Sequence, residues 1–230
     1  MKISFDLCIF DKVFLRIKKE QIMITSLDQL DFNKTYSYAD YLTWQFEEFV
    51  ELIKGKVMPM SAPSRSHQKI SIFLSKVLVD CIENNHLECE VYAAPFDVRL
   101  LKNPNECLEN RIGKTDKEIY TVVQPDLCVI CDLEKLDDRG CNGAPELIIE
   151  IVSEKSAVNA NRDVIEKYAI YAENGVVEYW LVRPLEKTVQ KNLLNLATHK
   201  YEVEGFYGIN DTVFSTVLPS LEVEINYVLR

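Results

Sequence analysis

Gln124-Pro125-Asp126 running into Leu127-Cys128-Val129-Ile130-Cys131, followed after a polar loop by Glu146-Leu147-Ile148-Ile149-Glu150-Ile151-Val152, decides how this chain is read. Each apolar run has the length of a buried strand and is bounded by turn-forming residues. An acid stands at the entry of the first (Asp126) and inside the second (Glu150). A helical pattern follows from about Ala160 to Glu173, with Asp163 and Lys167 four residues apart and Asn174-Gly175 as its stop. Acids on two neighbouring strands can hold a hard divalent cation through oxygen. A nearby lysine can steady an attacking water or developing negative charge. The pattern therefore points to metal-dependent hydrolysis of a phosphodiester.

Working outward, Ser37 three residues before Asp40 predicts a capped short helix over Ser37–Trp44. Glu51–Lys54 and Lys56–Met60 flank Gly55 as a hairpin. Ile70, Phe73, Leu74, Val77, Leu78, Cys81 and Ile82 recur at helical spacing, which predicts a long amphipathic helix over Ser66–Asn84. Glu90–Leu100 and Val122–Cys131 each read as one strand, and residues 102–120 as a polar surface excursion. Leu147–Val152 and Val177–Val182 are further strands. Thr188–Leu194 and His199–Glu204 form a second hairpin, before Leu218-Pro219-Ser220-Leu221 and a short tail. This order gives a mixed sheet flanked by helices, of α/β (α+β) class, with an additional β-hairpin region.

The 230 residues suit one domain. Residues 1–22 are read as an N-terminal extension outside the core, with Met23 as the natural start, and 23–230 as a single domain. Apolar residues make up 47% and charged residues 27%, so the chain can bury a core and is not disordered overall. No run approaches the ~18 apolar residues of a membrane helix and no signal peptide is evident, so a cytoplasmic protein with no membrane partner is expected. The seven cysteines are odd in number and scattered, and are read as reduced thiols. Cys128 and Cys131 form a CxxC, but in a strand they point to opposite faces, so they are read as buried apolar residues rather than metal ligands. A net charge of −10 opposes non-specific nucleic-acid binding, which rests on neutralising phosphates. It leaves room for a local basic groove.

The segments VELIKGKVMPMSAPSRSHQKI (50–70), APFDVRL (94–100), VVQPDLCVICDLEKLDDRGCNGAPELIIEIVSEKS (122–156), RDVIEKYAIYAENGVVEYWLV (162–182) and VLPSLEVEI (217–225) resemble the Uma-two family of restriction-endonuclease-like proteins. The resemblance covers roughly Tyr36 to Ile225. It implies a restriction-endonuclease-like fold of the PD-(D/E)xK kind, with Asp126 at the family's QPD acid and Glu150 at the acid of the next strand. The lysine usual two residues after that acid is absent, because Val152 stands there. The resemblance moves this role to Lys167 on the following helix, in the DxxxK match. It makes Glu51 a further acid of the site. Arg183-Pro184 departs from the common Asp-Pro, in a turn beyond the catalytic set.

Each residue also has a plainer reading. Asp126 can be an exposed strand-start acid, but Glu150 lies inside an apolar run, where a buried carboxylate needs a partner or a metal. Lys167 can form a surface ion pair with Asp163, and Lys155 competes for its role. Asp163 is read as a supporting or helix-start residue, and Gln124 as supporting. Glu51 can be an exposed strand acid, and His67 a residue with no special task. Tyr168, Tyr171 and Trp180 read as core aromatics.

The expected function is thus a DNA endonuclease using Mg²⁺ or Mn²⁺. Asp126, Glu150 and Glu51 would hold the ion, and Lys167 would stabilise the reacting phosphate. Arg65, His67, Lys69, Lys155 and Arg162 are the candidate phosphate contacts. A homodimer would suit cutting both strands. The alternative is a non-catalytic binding or regulatory module on the same fold.

Overall fold

The computed structural model describes residues 23–101, 115–153 and 157–229, and the side chains of these except 157–164. The expected extension over 1–22, most of the excursion over 102–120, Cys8, Cys107, Lys155 and the side chains of Arg162 and Asp163 lie outside the described residues.

The expected mixed sheet with flanking helices is present as two six-stranded mixed sheets. The first has the order β2-β1-β5-β4-β8-β7, built from β1 (Val50–Ile53), β2 (Lys56–Pro59), β4 (Val98–Leu100), β5 (Thr121–Val123), β7 (Leu136–Asp137) and β8 (Gly140–Asn142). The second has the order β12-β11-β10-β9-β6-β3, built from β3 (Glu90–Ala93), β6 (Leu127–Ile130), β9 (Leu147–Ile151), β10 (Glu178–Arg183), β11 (Thr188–Asn195) and β12 (Lys200–Tyr207). A small pair, β13 (Thr212–Phe214) and β14 (Glu222–Glu224), closes the chain together with a short helix, Ile225–Val228.

Local chemistry explains the elements. Helix α1 (Tyr38–Tyr41) starts at a capping box in which the Ser37 and Asp40 side chains each accept from the other's backbone N–H. Helix α2 (Arg65–Asn84) is capped by the Ser64 hydroxyl, which accepts from His67 N. The β1–β2 hairpin turns at Lys54 and Gly55, both at positive φ (51° and 79°). A Cβ at Gly55 would lie 2.4 Å from Thr35 Cγ2, so only glycine fits there. Helix α3 (Ala157–Asn174) ends at Gly175, also at positive φ.

The central strands β6, β9 and β10 of the second sheet are buried on both faces, which is why β9 reads as a continuous apolar run. Leu147, Ile149 and Ile151 pack with Ile70, Leu74 and Leu78 of α2 and with the closing segment. Ile148 faces the other way, with Cys128 and Tyr179, against Ile170 and Tyr171 of α3 and Val98 and Val123 of the first sheet.

Three expectations are corrected. Glu90–Leu100 is two strands in different sheets, because the chain turns at Ala94-Pro95, a cis peptide bond. Val122–Cys131 is likewise two strands, split at Gln124-Pro125-Asp126, where the chain crosses from the first sheet to the second. The cysteines are not all thiols, since Cys131 is bonded to Cys89. The two residues of the CxxC do face opposite ways, Cys128 into one core and Cys131 against the other. Cys81, Cys128 and Cys141 are free and buried. No described helix is long and apolar enough to cross a membrane.

Glu178, wholly buried at the start of β10, ties the closing segment down. Its carboxylate accepts from Trp180 Nε1 (2.6 Å), the Ser215 hydroxyl (2.9 Å) and the backbone N–H groups of Thr216 (2.8 Å) and Val217 (2.9 Å). Removing such an acceptor strands several buried donors. Glu178→Ala is expected to lower the unfolding free energy by about 3–5 kcal/mol in urea titration, and an unchanged midpoint would refute this.

Candidate active site

The crossing at Gln124-Pro125-Asp126 places the site on the seam between the sheets. Strands β6 and β9 pair antiparallel with Leu127 opposite Ile149. One step further along that register sets Asp126 beside Glu150, on the same face of the sheet. Asp126 Oδ2 accepts from Ile151 N at 2.7 Å, which fixes the carboxylate across the strand end.

Glu51 comes from the other sheet. It stands on β1, which pairs with β5, and its Oε1 accepts from Gln124 N at 2.7 Å. The backbone amide at the crossing thus aims Glu51 towards the second sheet's acids. Glu51 is buried, with 6% of its surface exposed, so the exposed-strand reading is excluded.

Lys167 projects from α3 between the acids. Its Nζ lies 2.9 Å from Glu51 Oε1 and 3.0 Å from Glu150 Oε1. Tyr171, one helical turn later, donates to the same Glu150 oxygen at 2.6 Å. His67, near the start of α2, places Nε2 3.1 Å from Asp126 Oδ1. The acids and Lys167 line one cleft of about 200 Å³, with His67, Gln124 and Tyr179.

The electrostatics follow from burial. Removal from water pushes the Glu150 carboxyl up to about 7, and the neighbouring Asp126 and Glu51 charges add to the rise, against the pull of Lys167 and Tyr171. Burial disfavours the Lys167 ammonium, but Glu150 and Glu51 outweigh it and hold its pKa well above the usual lysine range. Burial likewise opposes charge on His67. The hydrogen bond and charge of Asp126, with Glu150 beyond, outweigh it and raise the imidazole above its ordinary value. Tyr171 is pushed well above the phenol range by burial and both glutamates, so it remains a donor.

Three carboxylates facing one ammonium and one imidazole leave excess negative charge. Hard oxygen donors carrying such an excess fit a divalent cation in their chemistry. They are not assembled as a cage: among the described residues no three His, Cys, Asp or Glu side chains converge as a ligand set. Lys167 holds an oxygen of both glutamates instead.

Of the candidates for phosphate contact, His67 is occupied by Asp126. Arg65 is exposed near the start of α2, and Lys69 lines a different cleft with Ile72, Lys76 and Tyr227. Gln124 lines the cleft and is tied to its neighbours. Besides its backbone bond to Glu51, its side-chain NH₂ donates to Asp97 Oδ1 (2.9 Å) and the Tyr41 hydroxyl (3.2 Å). Sequence reasoning missed Tyr171 as a partner of Glu150, although its place four residues after Lys167 on one helical face was the available signal. It also missed the pairing of His67 with Asp126, which no spacing announces.

The sequence model of the Uma2 family, described as "Putative restriction endonuclease", matches residues 38–226. The chain belongs to the Uma2 family. A solved structure described as "a putative nuclease belonging to DUF820" from Anabaena variabilis superposes with a TM-score of 0.59 at 16% identity, covering 84% of this chain and 97% of that one. It shares the fold. A search of curated proteins finds no match. The Uma2 match spans Glu51, Asp126, Glu150 and Lys167.

Glu150 has a raised pKa in the folded state, so the folded chain holds a proton that the unfolded chain releases between about 4.5 and 7. Its stabilising contribution is complete below that window and is lost as pH rises through it. With chelator present, unfolding free energies measured by urea titration at steps from pH 5 to 6.5 are expected to fall, and Glu150→Gln to fall less steeply. Equal slopes would contradict the assignment.

Proposed function

We propose that this chain is an endonuclease that hydrolyses DNA phosphodiester bonds with Mg²⁺ or Mn²⁺ at the seam cleft. The observation that carries this reading is the meeting of Glu51 on β1, Asp126 at the crossing between the sheets and Glu150 on β9 in one cleft, with the buried ammonium of Lys167 bonded to both glutamates. The family description and the nuclease-like structural relative point the same way.

Asp126 and Glu150, with Glu51, would hold the ion. When bound it supplies charge neutralisation at the phosphate and a water of lowered pKa. The chain's own residues supply the rest. Lys167 orients the water and offsets the charge that builds on the phosphoryl oxygens. His67 and Ile151 N hold the Asp126 carboxylate in place, and Tyr171 holds Glu150. Cutting both strands of a duplex would take two such sites, which a two-fold pair of chains supplies.

A non-catalytic module on the same fold is favoured by one observation. Lys167 already occupies an oxygen of both Glu51 and Glu150, and no three acids form a ligand set among the described residues. Calorimetric titration with Mg²⁺ separates the readings, because a dead site shows no binding heat that depends on Asp126 and Glu150.

Under the proposal, Asp126→Asn and Glu150→Gln remove Mg²⁺-dependent plasmid cleavage while the circular dichroism spectrum is kept. Lys167→Met lowers the rate on the order of 10²–10³-fold. Full cleavage by both acid variants would overturn it.

A further inference from the structure

Beside the catalytic cleft lies a second cavity of about 430 Å³. Both cavities are lined by Gln124, Asp126 and His67, so whatever fills the second lies against the Asp126 carboxylate of the first. Its volume falls in the range of about 300–1,000 Å³ typical of sites that bury small organic groups. Met60, Ala62, Pro63, Ala94 and Pro95 make its wall largely apolar. Phe49 stands at it as an unpacked aromatic, 56% exposed and outside every hydrophobic cluster. A phosphate, with its charge and its need for cations, has no use for such a wall.

Two polar atoms add direction. Gln124 is 4% exposed, yet its Oε1 has no hydrogen-bond partner among the described residues. Its orientation is fixed, because the NH₂ end donates to the Asp97 carboxylate and a flipped amide would set oxygen against oxygen. His67 Nδ1 is likewise buried without a partner among those residues. A buried acceptor left open costs about 1–3 kcal/mol unless a ligand satisfies it. Gln68 and Ser71 on α2, and the exposed Glu47 and Glu48 carboxylates, add further polar groups. Apolar walls, an aromatic face and the open Gln124 acceptor suit a flat heteroaromatic group bearing an N–H donor.

We propose that this second cavity receives an unpaired nucleobase next to the scissile phosphate, so that the substrate is a single-stranded or locally unpaired nucleic acid rather than a continuous duplex. This rests on the hydrolase reading for the identity of the neighbouring cleft. A base inside a duplex is stacked and paired and cannot enter such a cavity without leaving the helix. The charge of the chain agrees. With a net charge of −10, phosphate neutralisation is a poor source of affinity, whereas base stacking on aromatic side chains supplies about 1–3 kcal/mol per base.

The test is fluorescence anisotropy with a fluorescein-labelled mixed-sequence 12-mer as single-stranded DNA, as single-stranded RNA of the same sequence, and as blunt DNA duplex, with calcium in place of magnesium. At least one single strand is expected to bind tenfold or more tighter than the duplex, and comparison of the two strands identifies the sugar. Ser71→Trp, which fills the cavity from α2, and Phe49→Ala, a surface change that spares the core, are each expected to weaken strand binding about tenfold. A duplex that binds as tightly as both strands, or strand binding unaltered in both variants, would overturn the proposal. Cleavage of the same oligonucleotides in magnesium is scored separately. Tight strand binding without cleavage removes the hydrolase reading and leaves the cavity assignment. Cleavage with no preference for unpaired strands does the reverse.

Discussion

One buried ammonium joins the two halves of this molecule. Lys167 reaches from α3 to a carboxylate on each sheet, Glu51 on the first and Glu150 on the second. Burying any of the three charges alone would cost several kcal/mol. Together, and with the added donors from Gln124 N and Tyr171, they are tolerated. The site is therefore complete only when both sheets and the helix have docked. A local motif could not build it, because its parts, from Glu51 to Lys167, span more than a hundred residues of sequence and meet only in the folded chain.

The same arrangement gives the cleft its chemical character. Burial raises the Glu150 carboxyl to about 7, and the neighbouring Asp126 and Glu51 carboxylates add to the rise against the pull of Lys167. An oxygen-lined cleft short of positive charge attracts a hard cation. The competing occupant is the protein's own lysine, and the balance between the two separates a working hydrolase from a binding module. Next to this acid-lined cleft lies a mostly apolar cavity that shares His67, Gln124 and Asp126 among its lining. A nucleotide joins a charged phosphate to a flat base through a sugar, and the two cavities differ in the same sense.

Much of this was legible in the sequence, for physical reasons. The Ile148–Ile151 run announced a strand buried on both faces, and a glutamate inside it had to be paired. The capping box at Ser37 and the periodicity of α2 fixed the starts of those helices to within a residue or two. What stayed hidden was the crossing between sheets. Val122–Cys131 is apolar enough to pass for one strand, and only Pro125, which lacks an N–H for a ladder, marked the break. Burial alone also misleads. Glu178 is as buried as any site acid, yet its four donors make it structural. The inference from a buried acid to chemistry holds only where a cleft reaches it.

The grip of Glu178 on Ser215, Thr216 and Val217 reaches further than local packing. The closing segment contributes Val213, Leu218, Leu221, Val223 and Ile225 to the hydrophobic layer beneath α2. Any shortened form of the chain that stops after β12 would uncover that layer and take from Glu178 three of its four donors. Relatives that vary in length at this end must therefore keep the segment or replace Glu178, and the two features should be inherited as a unit.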